Sequence, residues 1–465
     1  MTSPLPLREA EGIPLRQLIG DRAAAHDREA LRAAVARLGT RLRQELGLRE
    51  DALVVADTLD GPALRTRGVA GTIKLGSFTF NIRPKHVSDP DDSVWQAVLL
   101  VMLERGSRRR AAYSPTRRLR FGSRTFIDQL AMGLAMELEE ATRHAEVRAY
   151  RSTREELGQL RGRLLVTEQL RSALLKPHKV VCEVDELSAD NAVNRLLHWA
   201  AQQLGSLASQ QSVRRELSVQ AARLPVVTQP VKMPTHLSFP LPRQYHHYAG
   251  AVELAAAFAR GLTTTQGASN IGGAGFLVGT ERLFESFVER SLAVALAGHS
   301  DWRVSAQERS PFAEPVGRDG RGRSTYYSKP DNVIRWRDVP ALVVDAKYKK
   351  FRDETLEQAS DRPSNRDLYQ MTAACVAHNC ARALLVYPRM SDQDLGPDWV
   401  PAWWRVEFGG LKLLIGAVTV PLQDVAMDRG LADFDQRLRA MVVTAADADD
   451  TVAALRPVAV VADAS

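Results

Sequence analysis

Cysteine is scarce in this 465-residue chain: Cys182, Cys375 and Cys380 are odd in number and lack C-x-x-C spacing. Neither a disulfide framework nor a zinc site follows from them, as expected of a protein in a reducing compartment. Runs of about eighteen apolar residues, the length needed to span a bilayer, are also missing, and Arg8, Glu9 and Glu11 precede any apolar core. The expectation is a cytoplasmic protein with no membrane partner. No G-x-x-x-x-G-K-[ST] sequence occurs, and Gly272, Gly273, Gly275 and Gly279 have no lysine to contact nucleotide phosphates. The chain by itself is therefore not expected to hydrolyse GTP or ATP. Lysine is sparse beside arginine, which gives each well-placed lysine more weight.

What is present is positive charge. A formal net charge of +7 and a pI near 9.4 favour a polyanionic partner such as DNA. Much of the excess lies in the stretch Arg105 to Arg124 (RGSRRRAAYSPTRRLRFGSR) and in the loop Gly317 to Arg323 (GRDGRGR). Arg318, Arg321 and Arg323 in that loop, with Lys349 further on, are candidates to contact the DNA backbone, a role that positions phosphates rather than reads bases. A solvated basic surface or contact with a protein partner would also account for the Arg105 to Arg124 cluster.

The segment Tyr327 to Phe351 reads YSKPDNVIRWRDVPALVVDAKYKKF. Asp331 opens one apolar run, and Asp345-Ala346-Lys347 closes the next. Strand side chains alternate faces, so Val343, Asp345 and Lys347 share one face and Leu342, Val344 and Ala346 the other. An acid and an amine buried together at a strand end are costly unless they pair with each other or with a metal ion. Hard divalent cations take carboxylate oxygens, and a lysine two residues beyond the second acid lies roughly 6 to 7 Å along the strand. There it could orient or deprotonate a water attacking phosphorus, which is the arrangement of PD-(D/E)xK nucleases. An ordinary hairpin ending in a salt bridge is the plainer alternative.

The flanks extend the constellation. Phe284, Phe287, Val288 and Leu292 recur at helical spacing after Thr280, a candidate cap. Glu281, Glu285 and Glu289 form one stripe, and Glu285, bordering the apolar arc, is the acid placed in the site. Downstream, Ser364-Asn365-Arg366-Asp367 resembles a capping box opening a helix that carries Gln370, followed by a strand at Ala383 to Tyr387. The expected order is helix, two or three strands, helix, strand.

Taken in order, LFESFVE (Leu283 to Glu289), KPD (Lys329 to Asp331), VVDAKYK (Val343 to Lys349) and DLYQM (Asp367 to Met371) resemble the nuclease motifs of the McrC family. That family supplies the cleavage subunit of McrBC modification-dependent restriction systems. RGRLLVTEQLR (Arg161 to Arg171) and VCEVDELSADNAVNRLL (Val181 to Leu197) resemble its central region, and GTIKLGSFTFNIRPK (Gly71 to Lys85) its amino-terminal β segment. The resemblance spans about Val69 to Pro388. It implies Asp331 and Asp345 as metal ligands, Glu285 as the helix-borne acid, and Lys347 as the cation that activates water or stabilises the transition state. Gln370 matches the glutamine of a Q-x-x-x-Y pattern, but Ala374 stands in place of the tyrosine, leaving Tyr369 to substitute or merely pack. Mg²⁺, or alternatively Mn²⁺, is the implied cofactor. The implied partners are DNA methylated at 5-methylcytosine and a McrB-like AAA+ GTPase ring. Docking of the amino-terminal region would stimulate that ring, which reads the modified base. A stand-alone nuclease of the same fold and a non-catalytic adaptor activating an AAA+ ring are the competing readings.

The expected fold class is α/β. Residues 1–90 are read as a β-containing region, for which the resemblance implies partner docking, with a helix marked by Leu31, Val35, Leu38 and Leu42 and a hairpin over Gly68 to Lys85. Residues 91–262 are read as a mostly helical middle region that includes a proline-rich connector at Pro225 to Pro242. Residues 263–443 are read as the PD-(D/E)xK nuclease domain, a mixed central sheet flanked by helices and entered through a hinge at Thr263 to Gly279. Residues 444–465 are read as a disordered tail. Tyr245-His246-His247-Tyr248 reads as an unspecialised loop rather than a metal site.

Overall fold

The computed structural model describes residues 5–19, 25–59, 61–75, 78–86, 92–105, 126–172, 176–228, 241–264, 273–313, 325–351, 362–389, 399–408, 410–426 and 429–447. These form two compact units: one holds the described residues up to 105 and from 263 onward, the other those from 126 to 262.

The first unit begins with β1 (Leu5–Arg8), β2 (Gly12–Pro14), α1 (Leu15–Ile19) and α2 (Ala25–Leu46), then β3 (Leu53–Thr58), β4 (Gly61–Thr66), β5 (Val69–Leu75), β6 (Phe78–Arg83) and α3 (Asp92–Arg105). Leu31, Val35, Leu38 and Leu42 of α2 line the core with Leu53, Leu64, Ile73, Phe80 and Ile82, as their helical spacing requires. Gly39 lets α2 approach β3, since a Cβ there would stand 2.1 Å from the carbonyl oxygen of Leu53. β5 and β6 form the expected hairpin, Gly71 opposite Ile82 through Leu75 opposite Phe78.

The second unit contains α4 (Phe126–Ala141), β7 (Ala149–Leu157), β8 (Arg163–Leu164), α5 (Val166–Ser172), β9 (Val180–Ser188), α6 (Ala192–Leu207), α7 (Gln211–Ala221) and α8 (Ala249–Gly261). It is mostly helical, with an added three-stranded sheet in the order β7-β9-β8 that the sequence reading did not include. Within it α4, α6, α7 and α8 pack on a core of Phe126, Leu130, Leu134, Leu197, Trp199, Leu217 and Phe258. Two polar residues fix the helix starts. Asn191 caps α6 through Val193 N and Asn194 N, both at 3.1 Å. Buried Asp128 of α4 accepts hydrogen bonds from Ser209 N at 2.8 Å and Gln210 N at 3.1 Å, doing for α7 what its own cap residue does not. The Tyr245 to Tyr248 quartet forms a 3-10 turn rather than a loop, with His247 Nε2 3.0 Å from the carbonyl oxygen of Ala145. Most of the proline-rich connector, residues 229–240, lies outside the described residues.

The chain returns to the first unit through β10 (Leu262–Thr264), β11 (Gly273–Gly279), α9 (Thr280–Leu296), β12 (Trp302–Ala306), β13 (Ser310–Ala313), β14 (Tyr326–Ser328), β15 (Asn332–Trp336) and β16 (Val339–Ala346). It continues with α10 (Asn365–Ala377), β17 (Arg382–Pro388), β18 (Ala402–Phe408), β19 (Leu411–Val420) and α11 (Gly430–Ala446). The expected hinge needs correction where it is described. Residues 273–279 are a strand running antiparallel to β5, so they join the amino-terminal sheet β1-β6-β5-β11-β10. A tail beginning at 444 also needs correction, because α11 continues to Ala446 with Ala445 and Ala446 buried; residues 448–465 lie outside the described residues.

The second large sheet of this unit has the order β12-β15-β16-β17-β19-β18 and is mixed. β15 and β16 are an antiparallel hairpin, whereas β16, β17 and β19 run parallel. Arg337 and Asp338 turn that hairpin with φ of 47° and 65°, the left-handed conformation a two-residue turn requires. α10 packs on Val343, Ala383, Leu385 and Ile415. α9 and α11 meet through Phe287 and Phe434, ring centroids 5.1 Å apart, and both contact β16. Burial on both faces is why β16 and β17 read as continuous apolar runs.

Replacing Asp128 with Ala leaves two N–H groups at the start of α7 without their acceptor. The expected loss is about 1 to 3 kcal/mol of stability, read as an earlier urea midpoint at unchanged slope.

Candidate active site

The site lies where β15 begins and β16 ends. Antiparallel pairing places Asn332 opposite Val344, so Asp331, just before β15, reaches the last residues of β16. Its Oδ2 accepts a hydrogen bond from Ala346 N at 2.8 Å. Asp345 is 2% exposed, and the Lys347 ammonium stands 2.5 Å from its Oδ2. Lys347 N donates to the carbonyl oxygen of Val386 at 2.8 Å, which continues the parallel ladder and locks the backbone that carries the side chain.

Gln370 of α10 bridges the pair. Its Oε1 accepts from Lys347 Nζ at 3.0 Å, and its Nε2 donates weakly to Asp345 Oδ1 at 3.4 Å. Ser364 caps this helix by accepting from Asp367 N at 3.3 Å, which is half of the expected capping box. The Asp367 carboxylate turns instead to Tyr387 Oη at 2.9 Å and Lys349 Nζ at 2.5 Å. Tyr369 neither packs nor joins the site, being 70% exposed, while Ala374 lies on the buried face of the same helix.

Glu285 comes from α9. Burial chiefly, then Glu281 and Asp345, push its carboxyl up to about 7. Asp331 is likewise pushed up to about 7 by burial first, then by Asp345 and Glu285. Lys347 opposes both shifts without cancelling them. Glu281 has its own cation, Arg49 at 3.1 Å, which meets part of the charge expected along the helix stripe. Thr280 does not cap α9 as expected. Gly279 is the cap residue, and the Thr280 hydroxyl donates to Glu9 Oε1 at 3.0 Å.

Asp331, Asp345, Lys347 and Gln370 thus meet at the hairpin end, and Glu285 sits on α9, which packs against β16. Lys349 instead bonds Asp367 and Ser364, its Nζ 3.1 Å from Ser364 Oγ, and Arg318, Arg321 and Arg323 lie outside the described residues. Arg105, first of the arginine-dense stretch, is an internal bridge that pairs with Asp435 of α11 and reaches Ser291 Oγ of α9 at 3.3 Å. Asn332 is a residue the sequence reading passed over. It is fully buried beside Asp331, and its carboxamide nitrogen and oxygen have no hydrogen-bond partner. A polar residue opening an apolar strand was the available signal.

The donor set suits a hard divalent ion, since it consists of carboxylate oxygens. Asp345 Oδ2 has no hydrogen bond of acceptable geometry despite its ion pair, so a buried acceptor faces the group. Among the described residues no three His, Cys, Asp or Glu side chains are already gathered as a metal cage, so the carboxylates would have to draw together to share a cation.

Between about pH 4.5 and 7 the folded chain holds protons on Asp331 and Glu285 that the unfolded chain has released. Metal-free stability therefore declines as pH rises through that window and levels off below the unfolded values. Glu285→Gln relieves this repulsion and should stabilise the protein at pH 7.5 in EDTA by on the order of 1 kcal/mol. The checks are its melting temperature and a flatter stability profile from pH 5 to 7.5.

Solved structures similar to this chain are known. A chain in the refined half-complex from the tetradecameric assembly of Thermococcus gammatolerans McrB AAA+ hexamers with bound McrC is similar at 21% identity and TM-score 0.59. The match covers 94% of this chain and 100% of that one. A chain of the Thermococcus gammatolerans McrBC complex is also 21% identical, over 63% of this chain and 88% of that one, with a TM-score of 0.39. No curated protein matches. The family model described as McrBC 5-methylcytosine restriction system component matches residues 64–388, most of the chain, and the protein belongs to that family.

Proposed function

We propose that this chain is the Mg²⁺-dependent DNA endonuclease subunit of a McrBC-like restriction system that acts on DNA carrying 5-methylcytosine in the cytoplasm. The observation that carries the reading is the gathering of Asp331, Asp345, Lys347 and Gln370 at the end of a buried hairpin, with Glu285 on α9, which packs against β16, and two carboxyls pushed up to about 7. Asp331, Asp345 and Glu285 would hold the ion, for which Mn²⁺ could substitute. A bound divalent cation supplies charge neutralisation at the scissile phosphate and a more acidic water.

The remaining chemistry belongs to the side chains. Lys347 is fixed by Gln370 Oε1 and Asp345, so its ammonium is held at the site. Its remaining N–H bonds stabilise charge developing on a phosphoryl oxygen, an interaction strongest where water is partly excluded. Gln370, engaging both Lys347 and Asp345, sets their spacing. Arg318, Arg321, Arg323 and Lys349 are proposed to contact the DNA backbone, and fixing a phosphate against the acids serves orientation.

The partner reading rests on two observations. The chain lacks a phosphate-binding G-x-x-x-x-G-K-[ST] loop, and it matches the full length of a chain in the McrB–McrC assembly. A McrB-like AAA+ GTPase ring would recognise the methylated site, and docking of this chain would stimulate its hydrolysis.

Asp345→Ala and Lys347→Ala should each reduce cleavage of methylated plasmid by about a hundredfold or more, with ring binding and GTPase stimulation retained. Full cleavage by either variant would refute the assignment, and cleavage by the chain with Mg²⁺ alone would identify a stand-alone nuclease. Neutralising Arg318, Arg321 and Arg323 together should weaken DNA binding and flatten the slope of log affinity against log salt by roughly 0.9 per lost phosphate contact. Unchanged binding across a salt series would remove these arginines from the interface.

A further inference from the structure

Beneath the site runs a buried polar network that its chemistry does not use. Glu9, just after β1, is 4% exposed. Its Oε1 accepts from Thr280 Oγ1 at 3.0 Å, and its Oε2 from Tyr348 Oη at 3.1 Å and, at the long limit, from Lys85 N at 3.3 Å. His86 Nδ1 lies 2.7 Å from the same tyrosine oxygen. Burial, reinforced by Lys85 and Arg8, pushes the His86 imidazole down to about 3. It is therefore neutral, and since Tyr348 donates to Glu9, Nδ1–H is the donor to Tyr348. Lys85 Nζ covers the tyrosine ring at 4.7 Å, and burial raises the Glu9 carboxyl against the opposing pull of Lys85, Thr280 and Tyr348.

The position of this network gives it consequence. Tyr348 follows Lys347 in the chain, and Thr280 begins the helix that carries Glu285 one turn later. Phe284 and Tyr348, the neighbours of Glu285 and Lys347, pack with ring centroids 5.9 Å apart. One carboxylate therefore joins the start of α9 to the end of the β16 strand, and both to the amino-terminal segment. Purely apolar packing would fix these elements less specifically, because hydrogen bonds to a buried carboxylate have direction and are costly to leave unmade.

We propose that Glu9 is a positioning residue for the cleavage site, acting through Tyr348 and Thr280 to hold Lys347 and Glu285 in register with Asp345. The inference rests on the nuclease reading above and adds to it that the amino-terminal segment sets the geometry of the carboxylate cluster. Loss of the network separates Glu285 from Asp345 and weakens their shared hold on a cation.

The test is calorimetric titration of the full-length chain with Mn²⁺, alongside melting curves. Tyr348→Phe and Thr280→Ala should each weaken Mn²⁺ binding about 10-fold or more, the usual scale for removing a group that orients metal ligands. Thr280→Ser, which keeps the hydroxyl, should restore wild-type affinity, and Glu9→Gln should behave as Tyr348→Phe if it folds. Asp345→Asn serves as the site control and should abolish binding. Wild-type affinity in both Tyr348→Phe and Thr280→Ala overturns the positioning role, even if their melting temperatures fall, and leaves the metal site standing when Asp345→Asn has lost binding. Undiminished binding by Asp345→Asn, or none by the wild type, overturns the nuclease reading itself and the positioning role with it.

Discussion

Two carboxylates and one ammonium share the end of a buried hairpin, with a third carboxylate, Glu285, on the adjoining helix α9, and the site depends on that electrostatic imbalance. Charged groups brought out of water need partners. Asp345 has Lys347, and Asp331 has one backbone N–H, but Glu285 and Asp331 are still driven toward neutrality by burial first and then by neighbouring acids, Asp345 among them. Under the proposed function a cation and a polyanionic substrate would arrive together, each compensating charge that the other alone would leave exposed.

The scaffold holds this strained cluster by over-determining it. The second half of β16 is buried between antiparallel β15 and parallel β17, so Asp345 and Lys347 emerge from the framed end of a central strand. α10 is fixed by Ser364, by the Asp367–Tyr387 bond and by the Lys349 ion pair, and it delivers Gln370 to both members of the pair. α9 is tied at its start through Thr280 and along its length through Phe287 and Arg105. Rigid elements thus supply the precision that a site on loops would lack.

Some of this was readable in the chain itself. The alternation Val343-Asp345-Lys347 put an acid and an amine on one face before any fold was known, and the 3.6-residue rhythm of Phe284, Phe287, Val288 and Leu292 put Glu285 at the margin of a buried helix face. Other expectations failed for identifiable reasons. Residues 273–279 looked like part of a hinge because glycine and small residues dominate them, yet they pair along β5. Gly71 has a φ of 130° there, and a Cβ on it would lie 2.1 Å from the carbonyl oxygen of Phe276. Small residues served close approach of two strands rather than freedom of the backbone. Thr280 had the right type and place to cap α9, but a carboxylate 271 residues away claimed its hydroxyl.

The sequence by itself determined the local chemistry: which residues carry charge, how they repeat along strand and helix, and the order of motifs that marks the McrBC family. Tertiary structure alone decided which of those charges meet. Sequence periodicity is a property of neighbours, whereas Glu9 finds Thr280 and Tyr348, and Arg105 finds Asp435, across hundreds of residues. Contacts of that separation leave no periodic trace, because they follow from how buried surfaces close on one another and from the need of every enclosed polar group for a partner.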